Sequence, residues 1–397
     1  VILEPSFGSV MCLNSIKLHS NSCRPRGAAL YRKNLIRLMS KGKVLVGLSG
    51  GVDSSVSAFI LKKQGYEVEG LFMRNWKDDD GTPYCSVKED FLDATFVADQ
   101  LNIPIVELNF SIDYKQRVFE YFLEELKAGN TPNPDILCNK EIKFDVFYKY
   151  AMENNYDYIA TGHYAQISQK NGINSLIKGS DSNKDQSYFL HAINGTVLDR
   201  TLFPIGDLEK AKVRDIARAE GLITSEKKDS TGICFIGERP FPEFLSNYIK
   251  DSPGVMCDEN GEVLGEHKGL PFYTLGQRQG LGIGGKKSLE NKPWYVAKKD
   301  IGSNVITVVQ GNDHPLLFSK RLSTKNLFLI NPLNDDNYEG SAKVRYRQED
   351  QECQFQILEN KIKVEFKNKQ RSITPGQSVV LYKNEVCLGG GEISSIS

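Results

Sequence analysis

From Lys43 onward, short apolar runs alternate with stretches of helical spacing. Lys43–Leu48 (KVLVGL) is a continuous apolar run of strand length, the pattern of a strand covered on both faces. A Gly/Ser turn follows, and Ser54–Gln64 has helical spacing up to Gly65, a residue suited to a left-handed helix end. Glu67–Phe72 predicts a second strand, Ser86 caps a predicted helix through Leu101, and Ile105–Asn109 predicts a third strand. Ser111 opens another predicted helix, with Phe119, Phe122, Leu123 and Leu126 on one face and Gly129 at its end. After a Pro/Asn-rich loop come a predicted helix over Asn139–Asn154, a strand over Tyr158–Thr161 and a helix over Glu209–Glu220. Strand alternating with helix implies an α/β domain built on a parallel sheet.

Past about Gly237 the character changes. Phe241–Lys250 predicts one short helix. Val255–Asp258 and Glu262–Gly265 flank a turn, and Trp294–Asp300 and Val305–Gln310 flank another, so both pairs predict hairpins. From Leu322 only short strands remain, over Ser341–Arg347, Cys353–Leu358, Lys361–Phe366, Ser378–Tyr382 and Val386–Ile393. That is the sequence of a small β-barrel. The expected organisation is an extension over 1–42, the α/β domain over 43–238, a small mostly-β central domain over 239–316 and a C-terminal β-barrel over 317–397.

Composition narrows the chemistry. Lys plus Arg number 50 and so do Asp plus Glu, so the formal net charge is zero and a nucleic-acid partner has to be held by a local basic patch. No stretch approaches the roughly 18 apolar residues that span a bilayer. The eight cysteines stand at 12, 23, 85, 138, 234, 257, 353 and 387 with no C-x-x-C pair, which removes zinc-ribbon and thioredoxin spacings and favours free thiols in a reducing compartment. Val1–Lys43 carries eight Lys or Arg and one acid, Glu4. Two readings stand: a mitochondrial presequence, or an upstream extension ahead of a natural start at Met39. The expected location is the cytoplasm, with the mitochondrion as the alternative.

The chemistry begins at Ser49–Ser55 (SGGVDSS), between a predicted strand and a helix start. Glycines let backbone N–H groups approach an anion, serines add hydroxyls, and the helix dipole favours negative charge. The GK[ST] ending of a Walker A loop is missing. Asp53 either orients the loop or faces Mg²⁺. A bare Gly–Gly turn reads as geometry alone, but the full motif resembles the pyrophosphate loop of the ATP-pyrophosphatase superfamily, whose domain is adenine nucleotide α-hydrolase-like. That resemblance implies that Gly47, Leu48, Ser49, Gly50, Gly51, Val52, Asp53 and Ser54 lie on the phosphates of ATP. It also implies Met73 near the adenine and Gly162 close to the nucleotide.

Two cysteines sit in segments that such a loop does not explain. Cys138 closes a proline-constrained loop (TPNPDILCNKEIKF) at the predicted helix start, where a helix N-terminus and Lys140 favour the thiolate. Cys234 lies in a glycine-containing loop (DSTGICFIGE). Cys257, Cys353 and Cys387 read as inert core residues, and Cys85 stays open. With TGHYA at Thr161–Ala165 and LGQRQGLGIGG at Leu275–Gly285, these segments resemble the tRNA-specific 2-thiouridylase family from about Lys43 to the C-terminus.

The resemblance implies ATP-dependent 2-thiolation of uridine at the tRNA wobble position, U34. The base O2 is adenylated, Cys234 carries a persulfide, Cys138 is the nucleophile, and a disulfide between the two awaits reduction. Expected partners are tRNAs reading Lys, Glu and Gln codons and a sulfur-relay protein or cysteine desulfurase. Asp135 is a general acid or base, or only a turn-former. Asn133, Pro134 and Asp135 are placed beside the target base, and Lys184, Asp185 and Gln186 on the tRNA. Arg345 and Tyr346, on the barrel, suit phosphate contact and stacking, with a solvated strand face as the plain alternative. His163 reads equally as structural or functional, and Gly280–Gly285 as a turn region. Cys138, Cys234 and Asp135 holding an iron–sulfur cluster is a further alternative, weakened by the lack of C-x-x-C. Two other functions remain open: another adenylating ligase or amidotransferase without thiol chemistry, and a non-catalytic nucleotide-binding adaptor.

Overall fold

A computed structural model describes residues 40–76, 87–229, 240–283, 292–333, 335 and 337–397. The first apolar run forms β1 (Lys43–Gly47). Leu45 faces one core and Val44 and Val46 the other, so both faces of the strand are covered, as a continuous apolar run requires. Helix α1 (Val52–Lys63) starts two residues earlier than the spacing predicts, because Gly51 in an extended conformation already ends the turn. Then come β2 (Glu67–Arg74), α2 (Val87–Leu101) and β3 (Ile105–Asn109). Helix α3 runs through Ser111–Tyr114, Lys115–Phe119 and Glu120–Lys127, its middle segment widened to π geometry. It buries Phe119, Phe122 and Leu126 and stops before Gly129, at φ +80°.

Helix α4 comprises Pro134–Leu137, a π segment Cys138–Val146, and Phe147–Glu153. This corrects the expected start at Asn139. The Asn133 side chain accepts from the backbone N–H groups of Asp135 (3.1 Å) and Ile136 (3.3 Å), and Pro134 takes the first helical position. An Asn cap followed by Pro is a favourable helix start, worth about 1 kcal/mol for the cap. Cys138 therefore lies in the second turn rather than at the N-terminus.

After β4 (Tyr158–Ala160) comes a hairpin absent from the sequence expectations, β5 (Ala165–Lys170) and β6 (Ile173–Lys178). Its two-residue turn, Asn171–Gly172, has φ +53° and +79°. Asn-Gly is the pair that such a turn selects, so the signal was present in the sequence. Helix α5 (Ser187–Leu190), β7 (Thr201–Leu202) and α6 (Lys210–Ala219) follow. Among the described residues, one sheet is wholly parallel in the order β3-β2-β1-β4-β7. The order reverses beside β1, and the crevice beyond the carboxyl ends of β1 and β4 is where such sheets bind ligands.

Helix α7 (Phe241–Ser246) is shorter than expected. The central strands β8 (Gly254–Cys257), β9 (Val263–His267), β10 (Trp294–Asp300) and β11 (Val305–Gln310) order as β10-β11-β8-β9. The remaining strands are β12 (Phe318–Thr324), β13 (Phe328–Leu329), β14 (Asn337–Lys343), β15 (Gln351–Leu358), β16 (Lys361–Arg371), β17 (Ser378–Lys383) and β18 (Val386–Ile396). Six close into a barrel, β12-β16-β15-β14-β17-β18, with β18 pairing back onto β12. The strand expected over Ser341–Arg347 ends at Lys343, which leaves Arg345 and Tyr346 in the turn beyond it. Strand β6 pairs with β18, Ile177 opposite Val386 and Leu176 opposite Cys387, so the α/β domain and the barrel share one sheet.

Candidate active site

The loop after β1 is held by its own hydroxyls. Ser49 N–H donates to Ser54 Oγ (3.2 Å), while Ser54 Oγ (3.0 Å) and Ser55 Oγ (2.8 Å) donate to the Gly51 carbonyl. Gly50 sits at φ +74°, and a Cβ there would stand 2.2 Å from the Asp90 carbonyl oxygen, so only glycine fits. Ser49 is exposed between buried Leu48 and Gly50. Gly51 offers no side-chain cap, which leaves the N-terminus of α1 suited to an anion.

Gly162 closes on this loop, and Met73 on the end of β1 that leads into it. A Cβ on Gly47 would lie 3.1 Å from the Met73 methyl, and a Cβ on Gly162 would lie 2.8 Å from Asp53 C and Ser54 N. The residues expected around the nucleotide thus converge at the carboxyl ends of β1, β2 and β4. Asp53 accepts from Lys210 Nζ at 2.8 and 2.9 Å and from the Tyr164 hydroxyl at 2.7 Å. Burial first, and then Asp53, raise the Tyr164 pKa, so the phenol stays a donor. Of the two roles expected for Asp53, these contacts fit orientation of the loop. Among the described residues no three His, Cys, Asp or Glu gather into a cation site.

His163 is buried, and burial depresses its pKa well below the ordinary value, with Lys143 adding to the effect. Its Nδ1 is 2.7 Å from Thr161 Oγ1 and its ring packs against Phe144 and Phe203. Burial and these contacts fit the structural one of its two readings.

Cys138 is 1% exposed and lies in the apolar core with Ile136, Ile142 and Phe144. The Lys140 ammonium lies 2.9 Å from Glu141 Oε1 and 4.6 Å over the Phe328 ring. Cys234 and Cys85 lie outside the described residues. Cys257, Cys353 and Cys387 are buried, and burial pushes the Cys353 thiol up to about 12.

The expected RNA set divides. Lys184 is near the nucleotide loop, 2.7 Å from Asp229. Asp185 is buried instead of surface-facing: it accepts from Gly179 N–H (3.0 Å), Ser187 N–H (3.1 Å) and Ser187 Oγ (3.0 Å). Gln186 Oε1 accepts from Tyr164 N–H at 2.9 Å. Arg345 donates to the Ser372 carbonyl at 2.6 Å. Tyr346 packs on Phe189 at 4.4 Å, and its hydroxyl donates to the Lys184 carbonyl at 3.3 Å. Tyr346 thus lies at the joint between the α/β domain and the barrel, as does Asp185, 3.5 Å from Lys343 Nζ, whereas the Arg345 contact stays within the barrel. Lys210, Tyr164 and Asp229 were not foreseen as site residues. Tyr164 and Asp229 lie inside motifs singled out in the sequence, whereas Lys210 stands 157 positions from Asp53 with no local signal.

A doubly wound parallel sheet that presents S-G-G-x-D-S-S at its switch point, joined to a central β domain and a closed barrel, defines a pyrophosphate-loop protein with two appended β domains. Family models match along the whole of it: "tRNA methyl transferase HUP domain" over residues 42–238, "tRNA methyl transferase PRC-barrel domain" over 242–310 and "Aminomethyltransferase beta-barrel domain" over 319–393. The tRNA-specific 2-thiouridylase MnmA of Pseudomonas entomophila is 55% identical over 357 residues, covering 90% of this chain and 96% of that one. That of Methylobacillus flagellatus is 56% identical over 357 residues, covering 89% and 99%. The chain belongs to the tRNA-specific 2-thiouridylase family. The methyl transferase wording of the models and the thiouridylase name of the relatives differ; identity above half over nearly full length, with both cysteine motifs in place, favours the latter. A 4-thiouridine synthetase–RNA complex with bound ATP aligns with 52% of this chain and 49% of that one, at 18% identity and a TM-score of 0.32, too remote to bear on function.

Proposed function

We propose that the protein is a tRNA-uridine 2-sulfurtransferase that converts U34 to 2-thiouridine at the expense of ATP. The observation that carries this reading is the joint presence of the pyrophosphate loop, with Gly162 closed on it and Met73 against Gly47 before it, and the Asn133-capped helix bearing Cys138. The uridine O2 attacks the α-phosphorus of ATP, pyrophosphate leaves, and the adenylated base carries AMP as leaving group. The terminal sulfur of a Cys234 persulfide bonds to C2 as AMP departs. The Cys138 thiolate then attacks the Cys234 sulfur, which breaks the S–S bond, releases 2-thiouridine and leaves a Cys138–Cys234 disulfide for a dithiol reductant. Alternatively, Cys138 attacks the persulfide first and hydrosulfide is the species that reaches C2.

In this reading Mg²⁺ accompanies ATP and shields its phosphates. The finer assignments are part of the proposal: Asp135 as acid or base, Asn133–Asp135 beside the base, Lys184 on the tRNA, tRNAs for Lys, Glu and Gln, and a relay protein or desulfurase as sulfur source. Cys138 has to leave its packing to react, so binding of the tRNA is expected to expose it.

One assay tests the reading. Purified protein with ATP, Mg²⁺, sulfide and unmodified tRNA should yield 2-thiouridine by nucleoside mass spectrometry, together with AMP and pyrophosphate. With a persulfide donor in place of sulfide, Cys138→Ser and Cys234→Ser should each abolish the product. Turnover of ATP that is indifferent to both substitutions would assign the protein to ligases without thiol chemistry.

A further inference from the structure

The anion-binding loop holds a like charge: Asp53 stands in the first turn of α1, where a polyphosphate has to approach. Lys210, the first residue of α6, answers it. Its ammonium contacts both Asp53 oxygens, at 2.8 and 2.9 Å, and also lies 2.8 Å from Asp229 Oδ1. The Lys210 side chain is 12% exposed against 32% for Asp53, so the cation is fixed in place. Its backbone N–H donates to Asp181 at 3.0 Å, and Tyr164 holds Asp53 from the other side. Asp229 is itself anchored by Lys184 (2.7 Å) and Arg214 (2.8 Å). Burial pushes the Asp229 carboxyl up, but the bonds from Lys184 and Lys210 outweigh it and hold the group down at about 2.

We propose that Lys210 is a positioning residue of the nucleotide site: it cancels the charge of Asp53 so that the loop accepts a polyphosphate. The inference rests on the reading of the loop as the ATP site. Without Lys210, Asp53 loses its cation and faces the incoming phosphates, while Asp229 keeps Lys184 and Arg214. Opposite charge at contact distance is the strongest local lever on an exposed anion site, and its loss acts on ATP before it acts on tRNA.

The test uses the full chain, with steady-state pyrophosphate release in the presence of tRNA and direct ATP binding by calorimetry. K210M is expected to raise KM for ATP by about 30-fold while KM for tRNA stays within about twofold. K210R supplies the same charge and should keep KM for ATP within about fivefold. D229N leaves Lys210 wholly to Asp53, so KM for ATP should hold or fall. K210M/D229N should match K210M within about twofold, because Asp229 keeps Lys184 and Arg214 in K210M and Asp53 is the stranded carboxylate.

A bridge that only fastens α6 to α1 predicts another pattern: both single variants lower Tm, both KM values rise together, and the double variant is worst. That pattern, or an unchanged KM for ATP in folded K210M, overturns the proposal. Should K210M fail to fold, D229N and K210R decide: a raised KM for ATP in D229N, or a K210R as impaired as a neutral substitution, overturns it too. Wild-type protein that binds no ATP by calorimetry would instead overturn the reading of the loop.

Discussion

The Tyr121 hydroxyl donates to Glu392 at 2.6 Å, joining helix α3 to barrel strand β18 across 271 positions of sequence. Beside them Lys325 lies 2.8 Å from Glu125 and 2.7 Å from Glu392. Burial raises the Glu392 pKa; at Glu125 burial is outweighed by the bonds from Lys325 and Asn130, and the pKa falls. One cation thus serves two carboxylates that are largely out of solvent. Lys325→Met should cost about 2 kcal/mol, below the usual loss for a fully buried pair because Lys325 is 33% exposed. Tyr121→Phe should cost about 1 kcal/mol. Urea unfolding measures both, and an unshifted midpoint for Lys325→Met would remove the latch from the account of stability.

The contact between Gly162 and the loop gives a sharper expectation. A Cβ 2.8 Å from Asp53 C and Ser54 N meets backbone, which cannot swing aside. Gly162→Ala should therefore raise KM for ATP about tenfold or more through displacement of the loop, with Tm lowered by only a few degrees. Kinetics at saturating tRNA, paired with a thermal scan, separate the two effects; wild-type ATP kinetics in a folded variant would show that the loop tolerates the shift.

The barrel also steadies the segment that leads to Cys138. Thr131 N–H donates to the Pro375 carbonyl at 2.9 Å, and Gln377 Nε2 donates to the Thr131 carbonyl at 2.6 Å. Gly376 has φ +90°, and a Cβ on it would lie 2.6 Å from Thr131 N. Gly376→Ala is expected to lower kcat for thiolation about tenfold while KM for ATP stays within about twofold. An equal loss in both parameters would mean that the turn supports the whole domain rather than the cysteine helix.

Acid stability should report two buried histidines. Burial lowers the pKa of His191 to about 4 and that of His163 well below its ordinary value. The unfolded chain binds these protons near pH 6.5 and the folded chain does not. Their contribution is complete above about pH 6.5 and is lost as pH falls toward the folded values, by up to about 1.4 kcal/mol per pH unit for each histidine. Denaturant midpoints should decline from pH 6.5 to pH 4.5, and His191→Asn should flatten the slope. A flat profile across that range would contradict the buried, neutral assignment.

Much of the fold was legible because it is written locally. The apolar run at Lys43, the helix end at Gly65 and the hairpins of the central domain each depend on neighbours a few positions away, and all appear close to their expected places. The misses have physical causes. The Asn171–Gly172 hairpin is weakly signalled because β5 is largely polar and β6 half polar, so neither shows a clean apolar run. Helix α4 starts at Pro134 rather than Asn139 because the Asn133–Pro134 cap opens it within a Pro/Asn-rich stretch that has the composition of a loop. Tyr346 sits in a turn because β14 ends at Lys343, and its ring is taken up by Phe189.

By itself the sequence determined the order of elements, the pyrophosphate loop and the family motifs, since these rest on short-range periodicity, turn chemistry and runs of residues read in place. Only the tertiary structure decided how charge is balanced around Asp53, that the barrel grips Thr131 and Tyr121, and that Cys138 is packed within a helix. The contacts of Asp53, Thr131 and Tyr121 join residues more than a hundred positions apart. Their partners are chosen by how the sheet, helices and barrel come together, a choice that no local pattern records.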